Sequence, residues 1–572
     1  MGRFRKGAGI ILILSIILII AAGVYFFKVY DKVKKIPLKP EFSVESGMYD
    51  TDMELILSAE EGMDIYYTTD GSEPNSESTK YTEPVKLTNA SGQKNKLSDM
   101  GPDLITGNSK YSVPVMNIDK GTVIRAIAMD SSGKSSEVAT KTYFVGINNA
   151  RYNNLPILSI VTNPYNLFDY YDGIYILGRT FEDYMQQNPK EPFNGSIPAN
   201  YNRRGMSWER KSYMEYFDST GNVKVSQDIG IRVQGAYSRA NIQKSFSLYA
   251  REEYGKATID YDFFNDSEKT SYSKLVIQNI EETKYIDPYV SLAAQNLDLD
   301  TVSSYQPVIV FIDGEYWGIY TLRPSVSVDY IADKYELDSD DVLLVKADGY
   351  GEYKIESGRA RDIGYFNKLL TYAATHDMSV DKYYDKICEM MDINSFTDWI
   401  CAEIYLGNND CIKPGRPDNN VKVWRVMVPD ASNPYADGKW RWILYDTDKA
   451  VGYQNDYMFD DVSKRLLEYN ELSEMQKLFL NLIVNDEYRQ LFINTFTSMG
   501  TTVFNQNVQE VKWEDFSRTY TSMLDRYYAR FPSSEPDLQK SLLRVESIKE
   551  FFYNRPNYVT GMMDELNRYL GK

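Results

Sequence analysis

Two carboxylates at the end of an apolar segment are the residues best suited to chemistry in this chain. Asp446 and Asp448 follow the run 440–445 and precede Gly452. Side chains two residues apart on a strand share a face, and at a strand end such a pair can hold a hard cation such as Mg²⁺. A cation held there can bridge nucleotide phosphates and neutralise the charge that develops during phosphoryl transfer. Many surface strands also end in this way, so the pair gains meaning only from its context.

The composition excludes several other function classes. The chain has 572 residues, 43% of them hydrophobic, which is enough for two or three domains with packed cores. Its net charge of -18 argues against nucleic acid as a partner, because a phosphate backbone requires a basic surface. One histidine, His376, excludes a histidine-rich zinc site. The three cysteines lack CxxC spacing and are predicted to be buried apolar residues: Cys388, Cys401 and Cys411.

Residues 8–27 predict a transmembrane helix, because about twenty apolar positions without a charge match the thickness of a bilayer. Basic residues flank both ends and leave the orientation open. A signal peptide cleaved near residues 21–23 is the alternative, but the apolar run continues past that site and favours an anchor. With residues 1–7 in the cytoplasm and 28–40 as a tether, we expect a single-pass protein of the cell membrane whose bulk is extracytoplasmic.

Residues 41–147 predict a small all-β sandwich. Apolar and polar residues alternate at 54–58 and 64–69, a turn follows at Asp70-Gly71, and further strands are expected at 85–87, 122–128 and 139–145. The polar stretch 88–120 is predicted to be a long surface loop. The pattern Ile65-Tyr-Tyr-Thr-Thr-Asp-Gly-Ser-x-Pro74 resembles the chitobiase/β-hexosaminidase C-terminal-type module. That resemblance implies an immunoglobulin-like accessory sandwich, whose aromatic residues could pack the core or bind wall glycans.

Residues 152–572 predict a mixed α+β domain with a helical second half. Strands are expected at 155–161, 173–178, 229–235 and 244–250, and a hairpin at 308–322 turns at Asp313-Gly314. Apolar residues at helical spacing predict helices at 362–374, 381–391, 393–406, 472–485, 486–499, 513–530 and 538–555.

Five segments of this region, in order, resemble the CotH family of spore coat proteins, which have an atypical kinase-like fold. They are Leu155-Pro-Ile-Leu-Ser-Ile with Gly173-Ile-Tyr; Arg232-Val-Gln-Gly-Ala-Tyr-Ser-Arg239 with Lys244-Ser-Phe; Ile312-Asp-Gly-Glu-Tyr-Trp-Gly-Ile-Tyr320; Asn408-Asn-Asp410 with Asn420-Val-Lys-Val-Trp-Arg425; and Trp442-Ile-Leu-Tyr-Asp-Thr-Asp448. The closing segment 548–558 also fits. The resemblance implies a domain that binds ATP with Mg²⁺ or Mn²⁺ and transfers phosphate to serines of a protein substrate.

The resemblance also implies roles for individual residues. Lys244 would pair with phosphates, and Arg232 and Arg239 could add fork-shaped donors. Asp410 would orient the acceptor hydroxyl and accept its proton. An ordinary strand-edge lysine and helix-capping or turn-forming Asp and Asn residues are the alternative interpretations.

The metal ligands implied by the resemblance are Asp446 and Asn420. Asp448 is either a secondary ligand or a structural hydrogen-bond acceptor.

Two departures from the family pattern matter. The stretch between Asp410 and Asn420 is longer than usual, so Asn419 could replace Asn420, and Pro324 stands where the family often has a glutamate.

The leading hypothesis is therefore a multidomain, membrane-anchored protein with an extracytoplasmic kinase-like domain. A catalytically silent surface or coat scaffold that binds wall glycans or proteins is the rival. A glycoside hydrolase is a third possibility, although no carboxylate pair is singled out for it.

Overall fold

The computed structural model describes residues 36–105, 112–265, 269–281, 284–408, 410–412, 415–452, 472–532 and 537–569. The chain divides into two compact units: Met1–Asn89 with Thr122–Gly146, and Ala90–Gly121 with Ile147–Lys572. Within the ranges just given, no helix combines the length and apolar character needed to cross a bilayer. The predicted anchor at residues 8–27 lies outside the described residues.

The first unit is a β-sandwich of short strands. These are β1 (Glu41–Phe42), β2 (Gly47–Tyr49), β3 (Met53–Leu55), β4 (Leu57–Ser58), β5 (Asp64–Thr68), β6 (Thr79–Lys80), β7 (Val85–Leu87), β8 (Thr122–Met129) and β9 (Ala139–Val145). The largest sheet has the order β2-β9-β8-β5-β6, with separate ladders β1-β4 and β3-β7. Alternation along the strands brings Leu55 and Leu87 of one ladder together with Ile124 and Tyr143 of the large sheet in a single core.

The second unit contains a closed seven-stranded barrel. Its region comprises β10 (Ile157–Val161), β11 (Arg210–Phe217), β12 (Val223–Gln234), β13 (Ser245–Tyr249), β14 (Ile259–Asp260), β15 (Ser271–Tyr272), β16 (Lys274–Gln278), β17 (Gln306–Ile312) and β18 (Glu315–Pro324). The barrel order is β10-β11-β12-β13-β16-β18-β17, and only the β10–β17 pair within it is parallel. The predicted hairpin is confirmed, with Asp313 at φ 46° and Gly314 at φ 83°.

A four-stranded antiparallel sheet follows the barrel in the chain. Its order is β20 (Tyr353–Ser357), β19 (Val342–Ala347), β21 (Lys422–Val426) and β22 (Arg441–Ile443). The helices of this unit are α1 (Pro102–Ile105), α2 (Pro164–Phe168), α3 (Gly178–Gln187), α4 (Ile286–Ala293), α5 (Val328–Tyr335), α6 (Ile363–Thr375), α7 (Asp381–Met390), α8 (Ile393–Leu406), α9 (Glu474–Leu482), α10 (Asp486–Met499), α11 (Gln506–Thr521), α12 (Leu524–Arg530) and α13 (Leu538–Tyr569). The predicted helical second half is therefore present.

Some predicted elements differ from the structure. The predicted strand at 173–178 is wrong, because the N–H groups of Ile174 and Tyr175 donate to carbonyls of residues 166 and 167 and not to a neighbouring strand. The helix predicted at 513–530 is two helices. The last helix continues beyond Arg555, since apolar residues at helical spacing, including Val559 and Met562, remain buried.

The stretch predicted to be a surface loop is packed into the second unit. Glu315 of β18 is buried, and its carboxylate accepts hydrogen bonds from the N–H groups of Lys96 and Ser98, at 2.6 and 2.8 Å, and from the Ser98 hydroxyl at 2.6 Å. Asp119 accepts from the hydroxyl of Tyr152 at 2.7 Å. Polar residues of this segment therefore have hydrogen-bond partners inside the protein. The polar composition of the segment did not imply that it is exposed.

We expect Glu315→Ala to lower the free energy of unfolding by about 1–3 kcal/mol, because it leaves the buried N–H and hydroxyl of Ser98 and the partly buried N–H of Lys96 without their acceptor. Urea denaturation of the full chain measures the loss, and limited proteolysis should show new cleavage within residues 90–121. Glu253→Ala removes an exposed glutamate and serves as control. Equal stability and equal cleavage of the two variants would contradict the expectation.

Candidate active site

Two of the predicted site residues lie at the same end of one strand pair. β21 and β22 are antiparallel, and Lys422 opposite Ile443 is their last pair. Asn420 precedes Lys422 by two residues and Asp446 follows Ile443 by three, so both emerge at this end of the ladder. Asp446 and Asn420 have positive φ values of 58° and 52°. Such strain, about 1–3 kcal/mol for each residue, concentrates at functional sites.

Asp410 joins this group through Asn420. Helix α8 ends at Gly407, and the chain then turns so that the Asp410 N–H donates to the side chain of Asn408 at 3.1 Å. Asn420 Nδ2 donates to Asp410 Oδ2 at 3.3 Å. Asn419 Nδ2 instead donates to the main-chain oxygen of Asp410 at 3.1 Å. Asn420 is thus the asparagine that contacts the carboxylate, and Asn419 closes the loop.

Asp448 is engaged by a lysine. Lys284, directly before α4, forms an ion pair with Asp448, and both side chains are buried. Of the two roles considered for Asp448, the structural acceptor matches this geometry. Lys284 lies in no motif that the sequence analysis singled out.

The predicted phosphate-binding lysine is enclosed. Lys244 is fully buried, and its Nζ donates to the main-chain oxygens of Arg239 and Asn241 at 2.6 and 3.0 Å. The ring of Tyr201 lies 4.1 Å from the same nitrogen. Burial lowers the pKa of Lys244 to about 7. The phosphate-binding role of Lys244 stays a prediction, and the arrangement does not place its ammonium at an open surface.

The two predicted arginines also have protein partners. Arg239 is buried, and its Nε donates to the main-chain oxygen of Gly235 at 2.7 Å. Arg232 contacts Glu209 at 3.3 Å and stacks over the ring of Tyr249 at 4.1 Å. Arg239 therefore stabilises the connection between β12 and β13, whereas Arg232 is partly exposed on β12.

Other lysines, missed by the sequence analysis, lie beside Asp446. Lys346 and Lys422 are opposite each other on β19 and β21, so their side chains leave the same face of the sheet. Their ammonium groups lie 5.6 and 5.0 Å from the ring centroid of Tyr445. Lys422 also pairs with Glu356 of β20 at 2.8 Å. A single lysine in a strand carries no sequence signal, and only the strand register brings these together.

The surroundings of Asp446 suit a hard cation. Burial, followed by the charge of Asp448, raises the pKa of Asp446, while Lys284 and Lys346 oppose the increase. A carboxylate in such surroundings gains from a bound cation. Asp446, Asp410 and the amide oxygen of Asn420 are oxygen ligands of the kind that Mg²⁺ accepts.

A cation here would need further ligands from a substrate. Among the described residues there is no cluster of three or more His, Cys, Asp or Glu side chains that could hold a metal. Mg²⁺ commonly uses one or two carboxylates and completes its octahedron with waters and phosphate oxygens. The residues present therefore fit a cation that is shared with a phosphate, and not one enclosed by protein alone.

The long helix α13 supports both sides of this site. Arg555 is fully buried and donates to the main-chain oxygens of Ile404 and Tyr405 at 2.7 and 2.6 Å. These carbonyls lie in the last turn of α8, where the helix itself supplies few donors; that of Ile404 also accepts from the N–H of Gly407 at 3.1 Å. Arg544 donates to the main-chain oxygen of Val451 at 2.7 Å. α13 therefore fixes the helix before Asp410 and the loop after Asp446.

A buried glutamate lies beneath the Asp410 loop. Glu403 of α8 is almost inaccessible to solvent. Burial raises its pKa to about 8, although the side chains of Asn408 and Cys411 oppose the increase. At neutral pH the carboxyl is therefore largely protonated.

We expect Glu403→Gln to remove a pH dependence of stability. Between pH 4.5 and about 8 the folded protein keeps the Glu403 proton that the unfolded chain has lost, so the free energy of unfolding falls as pH rises. One such group gives a slope of at most about 1.4 kcal/mol per pH unit. Urea denaturation from pH 5 to 8 measures it, with Glu389→Gln, an exposed glutamate of α7, as control. Parallel curves for wild type and Glu403→Gln would contradict the expectation.

Comparison with known proteins gives the family of this chain. A family model described as CotH kinase protein matches residues 231–559, which is more than half of the chain. A second model, described as Fn3 associated, matches residues 54–143, in agreement with the predicted β-sandwich that precedes the CotH region. A search of curated proteins found no match. The extent of the first match, from within β12 to within α13, shows that this chain belongs to the CotH kinase protein family.

Proposed function

We propose that this chain is an atypical protein kinase that binds ATP with Mg²⁺ or Mn²⁺ and transfers the γ-phosphate to a protein hydroxyl. One observation carries the proposal: Asn420 and Asp446 emerge at the same end of the β21–β22 pair, where Asn420 contacts Asp410 and Lys346 acts on Asp446. Membership of the CotH kinase family supports the kinase-like class.

Each residue has a distinct role in this proposal. Asp446 and the amide oxygen of Asn420 would hold the cation, which would neutralise charge at the phosphates. Lys346 attracts phosphate oxygens as a compact point charge. The oxygen of the acceptor hydroxyl attacks the γ-phosphorus, and ADP leaves. Asp410 accepts the proton that this hydroxyl loses. The Nδ2 of Asn420 keeps the Asp410 carboxylate oriented toward that hydroxyl.

The phosphate groups would lie beside a group of lysines. Burial lowers the pKa of Lys274 on the barrel strand β16, and the nearby carboxylate of Glu356 opposes this decrease. Lys274 and Glu356 are therefore close together. Glu356 also binds Lys422 of the sheet. A barrel strand and the sheet thus contribute positive charge to the same region, which Glu356 partly neutralises. A triphosphate can replace Glu356 as the counter-charge.

The location and the partners are proposed from the sequence alone. Residues 8–27 would anchor the chain in the cell membrane with its bulk outside the cytoplasm. The protein substrate would be a surface or coat protein, and the sandwich would contact wall glycans.

The second candidate is a catalytically silent scaffold. It is favoured by Pro324, which stands where the family often has a glutamate, and by the enclosed ammonium of Lys244. Such a scaffold would keep the fold and would bind surface proteins or glycans without turnover.

Calorimetry and phosphate transfer distinguish the two candidates. The full chain is titrated with ATP with and without Mg²⁺ or Mn²⁺, and transfer from labelled ATP to protein is followed in parallel. The kinase proposal expects binding that depends on the cation, and transfer that disappears in Asp446→Ala but persists in Asp340→Asn, an exposed control. Absence of cation-dependent binding by the wild type overturns the proposal. Glycan capture that survives Asp446→Ala, without transfer, supports the scaffold.

A further inference from the structure

The loop that carries Asp446 is tied to the first turn of helix α4. Asp287 Oδ1 accepts hydrogen bonds from the N–H of Thr447 at 2.8 Å and from its hydroxyl at 2.9 Å. Lys284, three residues earlier, holds Asp448. Both residues that follow Asp446 are therefore fixed by one short stretch of chain.

The other oxygen of Asp287 is fixed by the barrel. Asp287 Oδ2 pairs with the guanidinium of Arg323 on β18, and both side chains are buried. The same guanidinium donates to the main-chain oxygen of Val302 at 2.9 Å and to the hydroxyl of Ser291 at 3.3 Å. Burial alone would raise the pKa of Asp287, but Arg323 and Thr447 hold it below its ordinary value. Asp287 is thus a charged acceptor whose position is set on both sides.

This chain of contacts acts on a strained residue. Asp446 has a φ of 58°, a conformation that side chains other than glycine rarely adopt, and it persists only where the surroundings impose it. Thr447, directly after it, is fully buried, and its N–H and hydroxyl are both used. Releasing Thr447 would let the backbone at Asp446 relax and would turn its carboxylate.

We propose that Asp287, held by Arg323, is a positioning residue that sets the orientation of the Asp446 carboxylate through Thr447. The inference rests on the proposed function, because the orientation of the Asp446 carboxylate matters only if this carboxylate binds a cation. Asp287 and Arg323 would touch neither ATP nor the acceptor. They connect the barrel to the cation site, next to Pro324, where the glutamate of the family pattern is missing.

The test uses the full chain, without nucleotide for amide exchange and with ATP present for Mn²⁺ binding. Amide hydrogen exchange of residues 446–452 is measured in the wild type, Thr447→Val, Thr447→Ser and Asp287→Asn, with Thr371→Val on the exposed side of α6 as control. Loss of one hydrogen bond at Thr447 should accelerate exchange in this segment about fivefold. Substitution of a residue that orients a metal ligand typically lowers metal affinity 10–100-fold. We therefore expect Thr447→Val to weaken Mn²⁺ binding about tenfold, as measured by electron paramagnetic resonance. Thr447→Ser, which retains the hydroxyl, should restore both values to within about threefold of the wild type.

The outcomes separate this inference from the proposed function. Unchanged exchange in residues 446–452 of both Thr447→Val and Asp287→Asn overturns the positioning role, whether or not the wild type binds ATP. Faster exchange with unchanged Mn²⁺ affinity makes the contact purely structural and also overturns it. A third outcome combines faster exchange in the variants with no cation-dependent ATP binding by the wild type. That outcome supports the conformational control of Asp446 and overturns the kinase proposal. Thr447→Val preserves the side-chain volume and keeps the test interpretable if Asp287→Asn fails to fold.

Discussion

Asp446→Asn should abolish cation-dependent ATP binding while making the folded protein more stable. The substitution removes the carboxylate that would hold the cation, so phosphate transfer should fall on the order of 10³-fold or more. Stability should rise by about 1 kcal/mol, because a buried carboxylate near Asp448 is replaced by a neutral group of the same shape. Activity and stability would then change in opposite directions, as expected for a residue retained for function.

Calorimetry with ATP and Mn²⁺ and thermal unfolding of the same preparation measure the two effects. Asp340→Asn, the same substitution at an exposed position, should change neither quantity. If Asp446→Asn bound ATP and the cation as the wild type does, the ligand role of Asp446 would be wrong. If the substitution destabilised the protein, the carboxylate would instead be a structural group.

Asp410→Asn should separate binding from turnover. Asn420 Nδ2 can still donate to the oxygen that remains in the new amide, so the loop should keep its shape. We expect ATP and cation affinity within about threefold of the wild type, while phosphate transfer falls about 10²–10⁴-fold, the range for loss of a general base.

The measurement is transfer from labelled ATP together with calorimetry on Asp410→Asn. The comparison with Asp446→Asn is internal, because both variants exchange a carboxylate for an amide in the same site. Loss of ATP binding in Asp410→Asn would place Asp410 among the cation ligands, and unchanged transfer would exclude it from the proton transfer.

Local patterns in the sequence were sufficient for much of the fold. Alternating residues and the Asp313-Gly314 turn predicted the β17–β18 hairpin, because two positive-φ residues bend an antiparallel pair back on itself. Helix α10 begins and ends at the residues that its apolar spacing predicted, and the side chain of Asn485 caps its first turn. The strand predicted at 173–178 was wrong because an apolar run is compatible with any buried backbone, whether or not that backbone pairs as a strand.

The sequence itself singled out Asp446 at the end of an apolar segment, and the resemblance to the CotH family implied Asp410 and Asn420. It could not identify the cations beside them. Lys284 and Asp448 are 164 residues apart, and Asp287 and Thr447 are 160 apart. No local spacing encodes such pairs.

The sequence by itself determined the family and the order of the elements, because both follow from short-range patterns along the chain, and the resemblance to the family supplied the candidate acidic and amide residues. Tertiary structure alone decided which lysines face that site, that Lys244 is enclosed, and that residues 90–121 pack with the CotH region. The physical reason is that side-chain partners depend on strand register and helix packing. These are set by the cooperative burial of residues far apart in the chain.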